Sequence, residues 1–209
     1  MKIAICVPSR DMVHAAFAYD LTLMTSNFCA GGGEVALFNS QGTLIADQRE
    51  NMVREALDFG ADAILWLDSD MRFPKNTLRR LLAHDQPIVA ANYVTRAIPP
   101  IPVTQNHMDE GWMRVYTSPD STGLESVDLI GFGCALVYAG VFRKMNNPWF
   151  HLIYSSVNKA FHGEDAYFCM KAREAGFDVL IDHDLSKEIK HIGSFEFRHE
   201  HANISPNNE

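Results

Sequence analysis

The chain is predicted to fold as an α/β protein around a doubly wound, mostly parallel sheet, and three observations predict it. Short runs rich in apolar and β-branched residues alternate with stretches of helical periodicity, strand, helix, strand, across residues 1–91. One of those runs, Ala63 to Leu67, is apolar at every position, as a strand covered on both faces requires. Turn and breaker residues, Pro8, Gly31 to Gly33, Gly60 and Pro74, fall between the runs rather than inside them.

Taken in order, residues 2–7 form a strand ended by Pro8. Val13, Ala16, Phe17, Leu21, Met24 and Phe28 recur at helical spacing, and Glu34 to Phe38 is the second strand. Val53, Ala56, Leu57 and Gly60 stand at i, i+3, i+4 and i+7 of a second helix, with Asp47 its expected N-cap and Gly60 its stop. After the Ala63–Leu67 strand, Lys75 to Ala83 is a short helix and Ile88 to Ala91 a fourth strand. The second half changes character: "RAIPPIPV" is an extended loop, "GWMRVY" a strand and "LIGFGCALVY" a glycine-broken strand. Glu164 to Ala175 is then a helix leading into the strand "FDVLI". One domain over residues 1–202 is expected, with 1–91 a nucleotide-binding half and 92–202 an acceptor-binding half. Residues 203–209, where Asn, Ser and Pro replace apolar residues, read as a flexible tail.

Composition narrows the function classes. The 209 residues are 47% hydrophobic and 21% charged, ordinary for a globular protein with one sizeable core. The net charge of −8 offers no general attraction to a phosphate backbone. The N-terminal apolar run is too short for a signal peptide, and no window approaches a membrane span, so a cytoplasmic protein without integral membrane association is expected. Cys6, Cys29, Cys134 and Cys169 lack CxxC spacing and read as structural thiols.

The chemistry concentrates in "LWLDSDMRFP". In an open parallel sheet, ligands bind beyond the carboxyl ends of the strands, where Asp68 and Asp70 fall. With strand alternation the two carboxylates project to one side, and they repel unless a cation lies between them; Mg2+ or Mn2+ suits such oxygen ligands. The competing reading is that the pair caps the turn before Pro74. A second pair, Glu164 and Asp165, opens a helix, where the macrodipole favours ionised carboxylates. Asp165 shares a face with Phe168, Cys169 and Ala172 and leans toward packing, while Glu164 lies on a more solvated stripe beside Tyr167 and Lys171. Asp165 is thus placed to take a proton from a hydroxyl, and first-turn capping is the equal alternative. His191 ends a strand and is a candidate metal ligand, whereas His199 and His201 around Glu200 read as solvated.

These segments together resemble the GT-A glycosyltransferases, in a compact, family-2-like, inverting form. The match runs in order through "IAICVPSRD", "DQRENMVREALDFGADAILWLDSDM", "LIGFGCALVYAGVFRKM" and "GEDAYFCMKAREAGFDVLIDHDLSKEIKHIG". The resemblance implies that Asp70 ligates Mn2+ or Mg2+, that Asp68 holds the metal or the ribose, and that His191 is the third protein ligand. It implies that Asp165 is the base, that Glu164 binds the acceptor, and that Pro8, Ser9 and Arg10 line the nucleotide with Arg49 and Asn51 in support. The second strand lacks the acidic residue many members use to read the base, and Asn39 with Ser40 stand there instead. Arg96 is expected to close over the diphosphate or the acceptor, or its Pro-rich loop is a plain connector. The resemblance also implies that Gly131 borders the acceptor site. Trp149 either stacks on a sugar or packs in the "PWF" run, with packing favoured.

The implied activity is transfer of a sugar from a UDP- or GDP-sugar to the hydroxyl of a glycan, a lipid-linked headgroup, a protein or a hydroxylated DNA base. Nucleic acid enters only as an acceptor. The alternatives are a nucleotidyltransferase acting on sugar phosphates, which needs a Gly-rich basic loop that "PSRDMVH" does not provide, and a non-catalytic nucleotide-sugar-binding protein.

Overall fold

A computed structural model of the chain describes residues 1–109, 111–156 and 159–193. The expected tail and the His199–His201 segment lie outside them.

The first half runs β1 (Lys2–Ser9), α1 (Ala15–Cys29), β2 (Glu34–Gln41), α2 (Ile45–Asp58), β3 (Ala63–Leu67), the short β4 (Met71–Arg72), α3 (Thr77–Ala83) and β5 (Ile88–Ala90). The second continues with β6 (Gln105–Met108), β7 (Gly111–Arg114), β8 (Leu124–Val127), β9 (Cys134–Tyr138), α4 (Ala139–Lys144), β10 (Ile153–Ser155) and β11 (Ala160–His162). It closes with α5 (Glu164–Glu174), β12 (Val179–Asp182), α6 (His183–Ser186) and β13 (Lys190–His191).

Seven strands form one sheet in the order β2-β1-β3-β9-β5-β12-β8. β1 runs parallel to β2 and β3, and β5 parallel to β12, while β9 is antiparallel to both its neighbours and β8 is antiparallel to β12. The expected mixed, mostly parallel α/β fold is therefore present. The β9 insertion corrects the simple strand-helix alternation: the fourth strand does not lie beside the third. "CALVY" is apolar throughout and takes the middle of the sheet, paired from Ala63↔Tyr138 to Leu67↔Cys134. The glycines ahead of it lie outside the strand.

The period of two along β1 and β3 makes two cores. Ala4, Cys6, Ile64 and Trp66 face one side with Met52, Val53 and Ala56 of α2 and Phe168 and Ala172 of α5. Ile3, Ile5, Leu65 and Leu67 face the other with Phe17 and Met24 of α1 and Leu78 of α3. Helix α2 begins at Ile45 with Leu44 at its N-cap, so Asp47 stands in the first turn rather than at the cap. Gly60, at φ +78°, follows the helix end as expected of a left-handed stop.

Two further contacts position the site. Asp20 of α1, buried, accepts from the Arg72 guanidinium at 2.5 Å and from the Phe73 amide at 3.2 Å, clamping the chain just after Asp70. β13 pairs with β4, His191 opposite Met71, which carries the C-terminal segment back to the same edge. Among the described residues, no helix is long and apolar enough to cross a membrane.

Candidate active site

β3 ends at Leu67, and Asp68 to Asp70 form a turn closed by the Met71 amide donating to the Asp68 carbonyl at 3.1 Å. The two carboxylates therefore share one side through turn geometry, not through strand alternation. The turn is pinned on three sides: the Asp68 amide donates to the Gly133 carbonyl, the His14 amide to Ser69 and the Ile192 amide to Asp70. It forms one wall of a cleft of about 380 Å³, with Pro8, Ser9 and Arg10 on another and Arg96 and His191 opposite.

The basic side chains of this cleft converge on the Asp70 carboxylate. Arg96 Nη1 lies 2.7 Å from its Oδ2 and His191 Nε2 3.4 Å from its Oδ1. Burial alone would raise its pKa, but the His191 hydrogen bond and the two neighbouring positive groups prevail and hold it below the usual carboxylate range. The His191 pKa is raised in turn, first by that same hydrogen bond. His191 Nδ1 is 2.9 Å from the Val94 carbonyl, which only accepts, so Nδ1 carries the proton and Nε2 presents its lone pair to Asp70 when the ring is neutral. Two acceptors facing one another require a proton or a cation between them. The donor set of carboxylate and imidazole, with Asp68 nearby, fits Mn2+ or Mg2+ in its chemistry. Among the described residues, no three such side chains are already gathered into a cage.

Asp68 looks inward. Its Oδ1 is 3.3 Å from Arg49 Nη2, and Arg49 Nη1 is 2.6 Å from Glu164 Oε1. The Arg49 side chain is only 2% exposed and lies over the rings of Phe132 and Phe150 at 5.0 and 5.8 Å. Burial pushes Asp68 above its ordinary pKa, Arg49 opposes, and Asp70 adds to the rise. One buried guanidinium thus joins the turn after β3 to the first turn of α5.

Asp165 follows on that same turn, half-buried, its Oδ1 accepting from the Ala166 amide at 3.0 Å. Burial raises its pKa to about 6; Arg49 opposes this, and the charge of Glu164 adds to it. Glu164 is the more buried of the pair, which corrects the expected assignment of faces: Arg49 draws Glu164 inward, and its carboxylate is held there rather than on a solvated stripe.

Other expected site residues lie elsewhere. Arg49 is not among the residues lining the cleft; it lies behind Asp68, which is. Asn51, two residues on, is about 200° further round α2. There it bonds Asp47 and Arg54 at the surface. The Asn39 amide is spent on the Val7 carbonyl at 2.9 Å and the Ser9 hydroxyl at 3.0 Å, so it fixes the β1 end and acts on the cleft through Ser9. Gly131 lies beneath the site, where a Cβ would run into the Tyr93 hydroxyl. Trp149 is buried, and its indole N–H donates to the Phe142 and Met145 carbonyls at 2.9 and 3.1 Å, so the packing role holds and sugar stacking does not.

Tyr93 is a residue the sequence did not single out. Its ring packs edge-on to His191 at 5.4 Å and its hydroxyl accepts from the Gly133 amide at 3.2 Å, setting the imidazole against the turn. A lone Tyr after a strand carries no signal of this; only the glycines 131 and 133 facing it hint at a bulky neighbour.

No protein-family model matches the chain, and no curated protein matches it. Solved structures do. A197 from STIV is 15% identical with a TM-score of 0.58, over 96% of this chain and 100% of that one. A Drosophila β-1,4-galactosyltransferase 7 mutant, in complex with manganese, UDP-Gal and xylobiose, is 16% identical with a TM-score of 0.50, over 100% of this chain and 81% of that one. At such identities the shared property is the fold, and the fold is GT-A-like.

Proposed function

We propose that the protein is a metal-dependent glycosyltransferase that moves a sugar from a UDP- or GDP-sugar to an acceptor hydroxyl with inversion. The observation that carries this reading is Arg49: it couples Asp68, at the cleft beyond β3, to Glu164, beside Asp165, whose pKa burial raises to about 6. A donor site and a base site are thereby built as one unit. The galactosyltransferase that shares the fold binds manganese and UDP-Gal, which favours the same class of donor here.

In this reading residues 1–91 are the nucleotide-binding half and 92–202 the acceptor half of one domain. Pro8, Ser9 and Arg10 hold the base and ribose, and Arg96 turns from Asp70 to the diphosphate. Asp70, His191 and Asp68 would hold Mn2+ or Mg2+, and the ion would supply neutralisation of charge on the leaving diphosphate. Asp165 accepts the proton of the acceptor hydroxyl as that oxygen attacks the anomeric carbon from the face opposite the leaving group. Glu164 positions Arg49 and through it the helix start. Four free cysteines, three of them buried, suit a reducing cytoplasm.

The direct test is a panel of nucleotide sugars scored for release of UDP or GDP. Release that needs Mn2+ or Mg2+ and falls about 100- to 10,000-fold in Asp165→Asn is expected. An Asp165→Asn enzyme as fast as wild type would remove the base assignment.

A further inference from the structure

A separate cleft of about 590 Å³ lies along α5. Its floor is the α5 face formed by Ala166, Met170 and Arg173, and its far wall is the β6–β7 hairpin with His107 and Trp112. Trp112 is 46% exposed, and its partner across the hairpin, His107, sets its ring perpendicular to the indole at 5.1 Å. The hairpin is moored to the helix through Asp128, whose Oδ2 accepts from the His107 amide at 2.6 Å while Oδ1 pairs with Arg173.

We infer that this cleft is a carbohydrate-binding site that seats the acceptor as a neutral oligosaccharide, with Trp112 as the stacking platform and Arg173 as a hydroxyl-binding donor. Three properties select that ligand. A part-exposed indole in a cavity wall offers a flat apolar face to the C–H face of a sugar ring, and its position is fixed before any ligand arrives. The charged pair Asp128–Arg173 cancels and Glu174 adds one negative charge, so the cleft carries no positive excess for a phosphate-bearing ligand such as DNA or an anionic lipid. The volume lies within the range of roughly 300–1,000 Å³ that encloses a ligand of a few rings.

The floor of the cleft starts one residue from the candidate base. Ala166, on its floor, follows Asp165 directly, so a glycan lying along α5 brings its end to the helix start. The word acceptor rests on the glycosyl-transfer reading; the carbohydrate site does not.

The test is binding of the full chain, without donor or metal, to a set of neutral oligosaccharides of two to four sugars, with single-stranded DNA and anionic phosphatidylglycerol vesicles in parallel. At least one oligosaccharide is expected to bind, and Trp112→Ala to weaken it tenfold or more. Met170→Arg, which charges the exposed helix face without touching the hairpin, is expected to do the same and serves if Trp112→Ala does not fold. Silence of every oligosaccharide, binding that survives both substitutions, or DNA or vesicle binding that is lost with Trp112 would overturn the inference. Oligosaccharide binding without any nucleotide-sugar turnover would uphold the site while removing the transfer reading. Turnover with no oligosaccharide bound would remove the site alone.

Discussion

A guanidinium deprived of water is stable only where carboxylates and ring faces replace its hydration, and Arg49 has both. Arg49→Met leaves Asp68 and Glu164 without their shared cation, and a loss of about 3–5 kcal/mol in urea unfolding is expected. Arg49→Lys, with one compact ammonium in place of a fork, cannot span both carboxylates and is expected to lose less. A loss below about 1 kcal/mol for the Met variant would contradict the bridging role. The inward direction of Arg49 was not legible in the sequence, because a charged residue on an amphipathic helix gives no sign of pointing inward. Glu164 and Asp165 were assigned to the wrong faces for the same reason: in a first helical turn, the partner decides which side chain is drawn in.

Asp165 supplies the pH dependence. With Asp165 as the proposed base, a pKa of about 6 leaves its carboxylate ionised above that value, so kcat/KM is expected to rise through an apparent pKa near 6 and to level off beyond it. The sign for stability is the reverse. A carboxyl group raised in the folded state favours folding in its protonated form, and that advantage is lost as pH climbs from the unfolded value near 4 through 6. Asp165→Asn removes the cost of the buried charge, so the inactive variant is expected to exceed wild type by about 1–2 kcal/mol at pH 8 and to match it below pH 4. Thermal melts at the two pH values check this.

At the scale of elements, the site is an outcome of pairings that have little local signature. β1, β3, α1 and α5 were legible because a buried strand is apolar without interruption and a packed helix repeats every three to four residues. β4 and β13, two residues each, have no periodicity to read, yet their pairing brings His191 to Asp70. The insertion of β9 between β3 and β5 is equally silent in "CALVY", since an apolar run does not announce its direction. The glycines before β9 serve packing against Tyr93. Gly131→Ala is expected to cost about 1–3 kcal/mol by overpacking that ring. Because Tyr93 backs His191, the same variant is expected to weaken Mn2+ binding in calorimetry; unchanged stability would show that Tyr93 is not held as described.

For the whole molecule, the sheet gathers the loops after β1, β2, β3 and β5 at one edge, which is where ligands of open α/β sheets bind. The sequence located that edge through Pro8, Ser9, Arg10, Asp68 and Asp70, all of which line one cleft. It did not locate the second cleft, because that cleft is lined jointly by the β6–β7 hairpin and α5, which are far apart in sequence. Asp68 lines the first cleft and Ala166, two residues after Glu164, lines the second, so the Arg49 bridge links elements that wall both.

The most direct measurement is calorimetric titration of UDP and GDP into the protein with and without Mn2+, for wild type and Asp70→Ala. Binding that is at least tenfold tighter with Mn2+, and that loses this gain in Asp70→Ala, is the expected result. Affinity equal with and without the ion, and unaffected by Asp70→Ala, would contradict a metal-dependent nucleotide-sugar site.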